Sequence, residues 1–212
     1  MRILAVGAHF DDVELGCGGT MLAQGLAGHQ LGLFVATTSG YARPDGTVIR
    51  SDEVAQREGR AAARAMGAEL FEGRLPTFGV GFDETTHRAL LDCFDRFRPD
   101  VVLSHWPEDA HHDHRQLGLA TIHCSRRIGR LLTYRSNWDP SPGRFEPRFF
   151  VDIEATLQGK LDLIRHHASE VVRTGGRWES AVTARARDHG ERAGCRHAEG
   201  FEVIRWRSAT WA

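Results

Sequence analysis

A chain of 212 residues fits one domain, 1–212, long enough to bury a sizeable core. Its 27 basic and 28 acidic side chains leave a formal charge of −1, which excludes a strong field for nucleic acid or a membrane surface. No apolar stretch reaches the roughly 18 residues of a membrane span, and the first apolar run is shorter than a signal-peptide core, so a cytoplasmic protein is expected. Cys17, Cys93, Cys124 and Cys195 are scattered, and without a C-x-x-C pair they read as buried thiols in a reducing compartment.

Residues 3–8 are wholly apolar, the pattern of a central parallel strand covered on both faces. A polar loop over 9–14 leads into a helix over 15–27 that contains several glycines. Residues 31–38 read as a second buried strand, ended by Ser39-Gly40 and followed by a Gly-, Pro- and Asp-rich loop to about residue 49. Ser51 and Asp52 cap a predicted helix over 51–66, and Gly67 stops it. A weaker strand covers 68–72, a loop 76–81, and a helix 84–97, closed by Arg98-Pro99-Asp100. A short apolar strand spans 101–104, and 111–113 opens a helix to about 127. Strands near 131–135 and 148–153, helices near 156–172 and 178–189, and a strand near 198–206 complete the order.

Strands alternating with helices predict an α/β domain with a largely parallel sheet. In such sheets ligands bind beyond the carboxyl ends of strands, where the strand order switches. Two polar clusters stand at predicted strand ends: His9-Phe10-Asp11-Asp12, and His111-His112-Asp113-His114 preceded by His105 and Asp109. Two or three imidazoles with a carboxylate suit one divalent ion that keeps a position open for water. His9 and Asp12 can turn toward one ion while Asp11 projects elsewhere, with His114 as third ligand and His111 about one helical turn before it. Each cluster alone reads as well as solvated loop residues or a helix cap; together, at two buried strand ends, they favour a metal site. A two-metal site needs a further bridging acid, and none is well placed. Gly16-Cys17-Gly18-Gly19 is no dinucleotide loop, because carboxylates occupy the turn where bare amides would meet phosphate.

The stretch from His9 to Thr20 resembles the A-H-P-D-D opening signature of the LmbE-like, or PIG-L, zinc-dependent de-N-acetylases. His111 to His114 is similar to that family's H-x-D-H signature. The likeness extends to Arg50-Ser51-Asp52-Glu53, Phe150-Val151-Asp152-Ile153, Lys160 and Ala198-Glu199-Gly200-Phe201, and so covers essentially the whole chain. It implies a Rossmann-like three-layer sandwich, Zn2+ (or another divalent metal) as cofactor, and removal of an N-acetyl or other N-acyl group from an amino sugar or glycoconjugate. By the resemblance His9, Asp12 and His114 bind the metal and Asp11 is the general base. His111, held as imidazolium by Asp113, then stabilises the oxyanion or protonates the leaving amine. Arg50 would anchor substrate or product carboxylate, and His197 stands where relatives often carry Tyr, as a further substrate contact. Phe10 replaces the usual Pro, which changes loop stiffness but no ligand.

Outside those motifs, Trp138 is a candidate sugar-stacking face, while Lys160, Asp152 and Glu199 read as structural. His112 reads as a solvated surface residue, and His105 and Asp109 as buttresses of their loop. The expected partner is a small N-acetylated sugar or glycoconjugate, with no nucleic acid and no membrane span. Small relatives are often oligomers; here no repeat or coiled coil marks a homo-oligomer. Two other readings stand beside the deacetylase: a metallophosphoesterase, which requires two metals, and a degenerate sugar- or metal-binding protein.

Overall fold

The apolar run near the start becomes β1 (Arg2–Gly7), whose side chains alternate between two cores. Ile3 and Ala5 face one apolar cluster and Leu4 and Val6 the other, as the two-residue period of a strand requires. In β2 (Gln30–Thr37), Leu31, Leu33 and Val35 join the first cluster and Phe34 and Ala36 the second. These facts come from a computed structural model that describes residues 1–208.

The remaining elements are α1 (Asp12–Leu26), β3 (Tyr41–Ala42), β4 (Val48–Arg50), α2 (Asp52–Met66), β5 (Glu69–Leu75), α3 (Glu84–Phe97) and β6 (Val101–His105). They continue with α4 (His112–Cys124), β7 (Arg130–Tyr134), β8 (Phe149–Asp152), α5 (Leu157–Arg165), α6 (Ala168–Arg173), α7 (Arg177–Ala193) and β9 (Ala198–Trp206). Seven strands form one sheet in the order β5-β2-β1-β6-β7-β9-β8. The first five run parallel; β9 pairs antiparallel with both β7 and β8. Helices α1, α2 and α5 cover one face through Val13, Met21, Ala63 and Leu163. Helices α3 and α4 cover the other through Leu90, Phe94, Phe97 and Leu117. The result is the expected three-layer α/β arrangement.

The chain leaves β1 toward β2 on one side and returns to β6 on the other, so the strand order reverses between β1 and β6. That junction leaves room beyond the carboxyl ends of both strands, where the two His/Asp clusters emerge.

Several boundaries differ from expectation. Helix α1 starts at Asp12, so this residue lies in the helix and not in a free loop. The loop after β2 contains the small β3–β4 hairpin, which is too short to show in the sequence pattern. The predicted helix over 156–172 is two helices, because His167 turns inward between Arg50 and Glu14 and interrupts the backbone. Helix α7 runs to Ala193, where Gly194 adopts the left-handed conformation that ends it.

The glycine run in α1 marks a break at Cys17, where φ is −144°. Lys160, the single lysine of the chain, donates to Leu15 O (2.9 Å) on one side of the break. Glu199 accepts Gly19 N–H (3.0 Å) and Thr20 N–H (2.6 Å) on the other. Lys160 and Glu199 are paired with each other, and both are buried. The pair therefore serves the backbone groups that the break leaves without helical partners. Gly16 is required there, since a Cβ would lie 2.1 Å from the Tyr134 ring.

Removing one partner of this pair leaves a buried charge unmatched, so Lys160→Met is expected to cost about 3–5 kcal/mol, read from the urea unfolding midpoint. A second expectation concerns His189 on α7, which is buried against Phe150 and Gly200. Burial, with Arg185 and Arg192 nearby, pushes its pKa down to about 4. The unfolded chain then takes up the proton first, so this contribution is complete above about pH 6.5 and is lost toward pH 4. His189→Gln should therefore lose less stability than wild type between about pH 7.5 and 4.5 in urea titrations.

Candidate active site

The turn from β1 into α1 is strained. Asp11, which caps α1, has φ 127°, a region costly for any residue with a Cβ. Its surroundings hold it there: Leu15 N–H donates to Asp11 O (2.9 Å), Phe10 N–H to Ser39 Oγ (2.9 Å), and Arg50 Nη1 to Phe10 O (3.2 Å). The twist sends the adjacent carboxylates different ways, Asp11 to Arg50 and Asp12 to a group of imidazoles. Ser39 and Phe78 also carry positive φ and line the same cavity as Asp11.

His9 Nδ1, Asp12 and His114 Nε2 converge. The separations are 3.3 Å for His9 Nδ1–Asp12 Oδ2, 3.1 Å for His114 Nε2–Asp12 Oδ1 and 3.3 Å for His9 Nδ1–His114 Nε2, so each imidazole faces a different oxygen of Asp12. Ligands on tetrahedral arms of about 2.0–2.1 Å stand about 3.3 Å apart, as the two imidazole nitrogens do, and Asp12 offers one oxygen beside each, so these donors suit a zinc-sized ion. Each imidazole is also backed by a carboxylate on its far nitrogen: His9 Nε2 by Asp113 Oδ2 (2.9 Å), His114 Nδ1 by Asp109 Oδ1 (3.5 Å). Such backing fixes ring orientation and raises ligand basicity. Burial opposes protonation of His9, but Asp113 and Asp12 outweigh it and raise its pKa to about 10. The same balance, with Asp12 and Asp109 dominating, raises His114 to about 9. The locus attracts positive charge.

Two overlapping trios, His9/His111/His114 and Asp12/His105/His114, also offer ligand atoms within 4.8 Å of one another. His105 Nε2, however, already accepts Ala8 N–H (3.0 Å), which occupies its lone pair. The same nitrogen lies 3.1 Å from Asp12 Oδ2 and, while it accepts Ala8 N–H, has no proton to donate there, so His105 stands beside Asp12 as a packing neighbour. Asp109, fully buried, accepts His111 N–H (2.8 Å) and Asn137 Nδ2–H (2.7 Å).

The expected pairing of Asp113 with the His111 ring is not what the structure contains. The Asp113 carboxylate turns to His9 and to the N–H groups of Phe78 (2.7 Å) and Val80 (3.3 Å). His111 is the N-cap of α4, and its Nδ1 accepts Asp113 N–H (3.2 Å). An imidazole nitrogen that accepts carries no proton, so the ring is neutral with its proton on Nε2. Burial, then the charges of His114 and His9, lower its pKa to about 4, which corrects the imidazolium expectation.

Asp11 lies against the Arg50 guanidinium (3.3 Å). Burial and the Asp12 charge raise its pKa to about 7, with Arg50 opposing. Arg50 is itself buried, and its Nη2 meets Glu58 Oε2 (2.9 Å) and His167 Nδ1 (3.3 Å). Its terminal nitrogens are occupied by protein groups, which suits holding Asp11 better than seizing a free carboxylate.

These residues line a cavity of about 460 Å³, with Phe78, Trp138, Tyr41 and Trp178 as its aromatic walls and Glu170 and Arg173 among its polar ones. Trp138 lines this cavity. His197 does not line this cavity; its Nδ1 pairs with Glu154 (2.7 Å). His112 is exposed. Sequence reasoning passed over Ser136, whose Oγ donates to Asp12 Oδ1 (2.8 Å), and Asn137, although both directly follow a predicted strand end. His167 gave no signal, hidden inside an apparently continuous helix.

Comparisons with known proteins agree with this arrangement. The family described as PIG-L: GlcNAc-PI de-N-acetylase matches residues 4–125. The chain is 25% identical to a diacetylchitobiose deacetylase of Thermococcus kodakarensis over 223 residues, covering 96% of this chain and 83% of that protein. A conserved protein of Thermus thermophilus shares its fold with TM-score 0.80 and 26% identity, over 99% of this chain and 98% of that one. The 4-carboxy-2-hydroxymuconate hydratase of Pseudomonas putida superposes with TM-score 0.75 at 19% identity, over 100% of this chain and 99% of that one, a likeness of fold alone. With a family match over more than half of its length and both signature clusters gathered at one cavity, the chain belongs to the PIG-L, or LmbE-like, family of de-N-acetylases.

Proposed function

We propose that this protein is a zinc-dependent hydrolase that removes an N-acetyl group from an amino sugar or a small glycoconjugate. The observation that carries the reading is the separation of two adjacent carboxylates, one among imidazoles and one free to take a proton. The fold by itself does not choose the reaction, since a hydratase shares it.

His9, Asp12 and His114 would hold the ion. A divalent ion there would act as a Lewis acid and lower the pKa of water from 15.7 to about 7. Asp11, with its pKa raised to about 7, is tuned to accept a proton from attacking water and return it to the departing amine. Arg50, fixed by Glu58 and His167, keeps the Asp11 carboxylate in place. His111 offers a neutral Nε2–H to the carbonyl oxygen as charge develops there, a donor that needs no positive charge to act. Asp113 contributes through His9 and through the loop carrying Phe78. A cavity of about 460 Å³ with aromatic walls suits the apolar faces of a sugar ring, with Trp138 as the stacking surface.

Zinc suits a donor set of two imidazoles and one carboxylate, as do several other divalent ions. Acetate release from a panel of N-acetylated sugars and glycoconjugates, run with the zinc-loaded protein, tests the reading. Cleavage of phosphate esters with two metals per chain would favour the phosphoesterase instead.

Asp11→Asn should lower kcat by about 10²–10⁴-fold while zinc content, measured by metal analysis, stays at the wild-type level. Full activity in that variant would remove Asp11 as the base. Because the neighbouring carboxylates raise His9 and His114, to about 10 and about 9, zinc competes with protons at these rings. Zinc affinity is therefore expected to rise with pH across the neutral range, with proton release measurable by calorimetry in buffers of different ionisation enthalpy.

A further inference from the structure

Helix α7 sits behind the cavity, and one of its arginines reaches the loop that follows β7. Arg185 donates from Nη1 to Arg135 O (2.6 Å) and from Nη2 to Asn137 O (2.6 Å). Its guanidinium lies over the Trp138 ring, 4.6 Å from the centroid. The cation is thus held by carbonyl oxygens and an aromatic face rather than by a carboxylate. Burial, with Arg135 nearby, lowers its pKa only to about 10, so it stays charged at neutral pH. The helix is anchored around Arg185, since Val182 one turn before it and the adjacent Ala186 are both buried.

The pinned loop carries what the ligands lean on. Ser136 Oγ donates to Asp12 Oδ1 (2.8 Å), and Asn137 Nδ2 bridges to Asp109 Oδ1 (2.7 Å) and lies 3.3 Å from His114 Nδ1. A planar fork gripping the carbonyls on both sides of Ser136 fixes its peptide plane, and with it the direction of the Oγ. We infer that Arg185 is a positioning residue for the active site: by clamping the 135–138 loop it sets Asp12 and His114 in place and presents Trp138 to the cavity. The effect on the ligands rests on the metal reading given above; the clamp on the loop does not.

Arg192 provides the internal control. It stands on the same helix, donates to Pro147 O (2.8 Å) and covers the Phe150 ring (5.2 Å), a matching interaction on a segment that brings no residue to the cavity. A merely structural role for Arg185 predicts that Arg185→Met and Arg192→Met behave alike. The two variants and Arg185→Lys are compared by amide hydrogen exchange of residues 135–139 in the metal-free protein, and by zinc affinity in competition with a chromophoric chelator. Arg185→Met should exchange about tenfold faster in this segment and bind zinc about 10–100-fold more weakly, Arg185→Lys should fall between, and Arg192→Met should stay within about twofold of wild type in both. Unchanged exchange in Arg185→Met, equal effects in Arg192→Met, or faster exchange with unaltered zinc affinity would each overturn the proposal. If wild type binds no zinc, the metal reading fails, while the exchange comparison still decides whether Arg185 clamps the loop. Arg185→Lys keeps the comparison available if the Met variant does not fold.

Discussion

Two carboxylates adjacent in the chain have to be kept apart in space, and much of the architecture around the site follows from that requirement. Like charges so close would share a proton and do one job between them. The backbone resolves this with a single costly conformation, φ 127° at Asp11, that turns one side chain toward Arg50 and the other toward the imidazoles. A residue in that region costs of order 1–3 kcal/mol and persists only where neighbours over-determine it. Here the neighbours come from distant parts of the chain: Ser39 after β2, Arg50 after the hairpin, and the first turn of α1 itself.

Each of the two carboxylates then has its own supporting shell. Around Asp12 the support is imidazole, hydroxyl and backbone N–H, backed by Asp109 and Asp113 acting through the histidines. Around Asp11 it is one guanidinium, itself held by Glu58 and His167. The division matters chemically because a ligand and a base need opposite environments. A ligand must stay ionised; a base must be willing to accept a proton near neutral pH. The two groups are driven apart in this sense, with Asp12 held below the usual carboxylate range by the imidazoles beside it, against the effect of burial, and Asp11 raised toward neutrality by burial.

The buried Lys160–Glu199 pair solves a related problem at the other end of the first helix turns. The sharp start of α1 is followed by a break at Cys17, and backbone groups on both sides of the break are met by this pair. The glycines beside it admit Tyr134 and Ile153, whose bulk closes the space against the sheet. Thus the helix that carries Asp12 is interrupted at Cys17 and tied there to Lys160 of α5 and Glu199 of β9. The Thermus thermophilus protein and the hydratase share this scaffold, which leaves chemistry to the side chains at the β1–β6 junction.

The amino-acid sequence by itself determined the α/β class, the run of buried strands and the location of both His/Asp clusters at strand ends. It could do so because period-two apolar patterns and helix stops are local properties, written within about ten residues of one another. It also pointed to His9, Asp11, Asp12 and His114 together, through residue types at two strand ends and the resemblance of both stretches to the family's signatures. Only the tertiary structure decided that Asp113 serves His9 and not His111, that Arg50 faces Asp11 with its terminal nitrogens occupied, and that His197 belongs to Glu154. The same holds for Ser136, His167 and Arg185, which reach the site across 124, 117 and 50 positions of chain. Partner choice among polar side chains depends on which elements the fold brings within about 3 Å, and no local pattern records that distance.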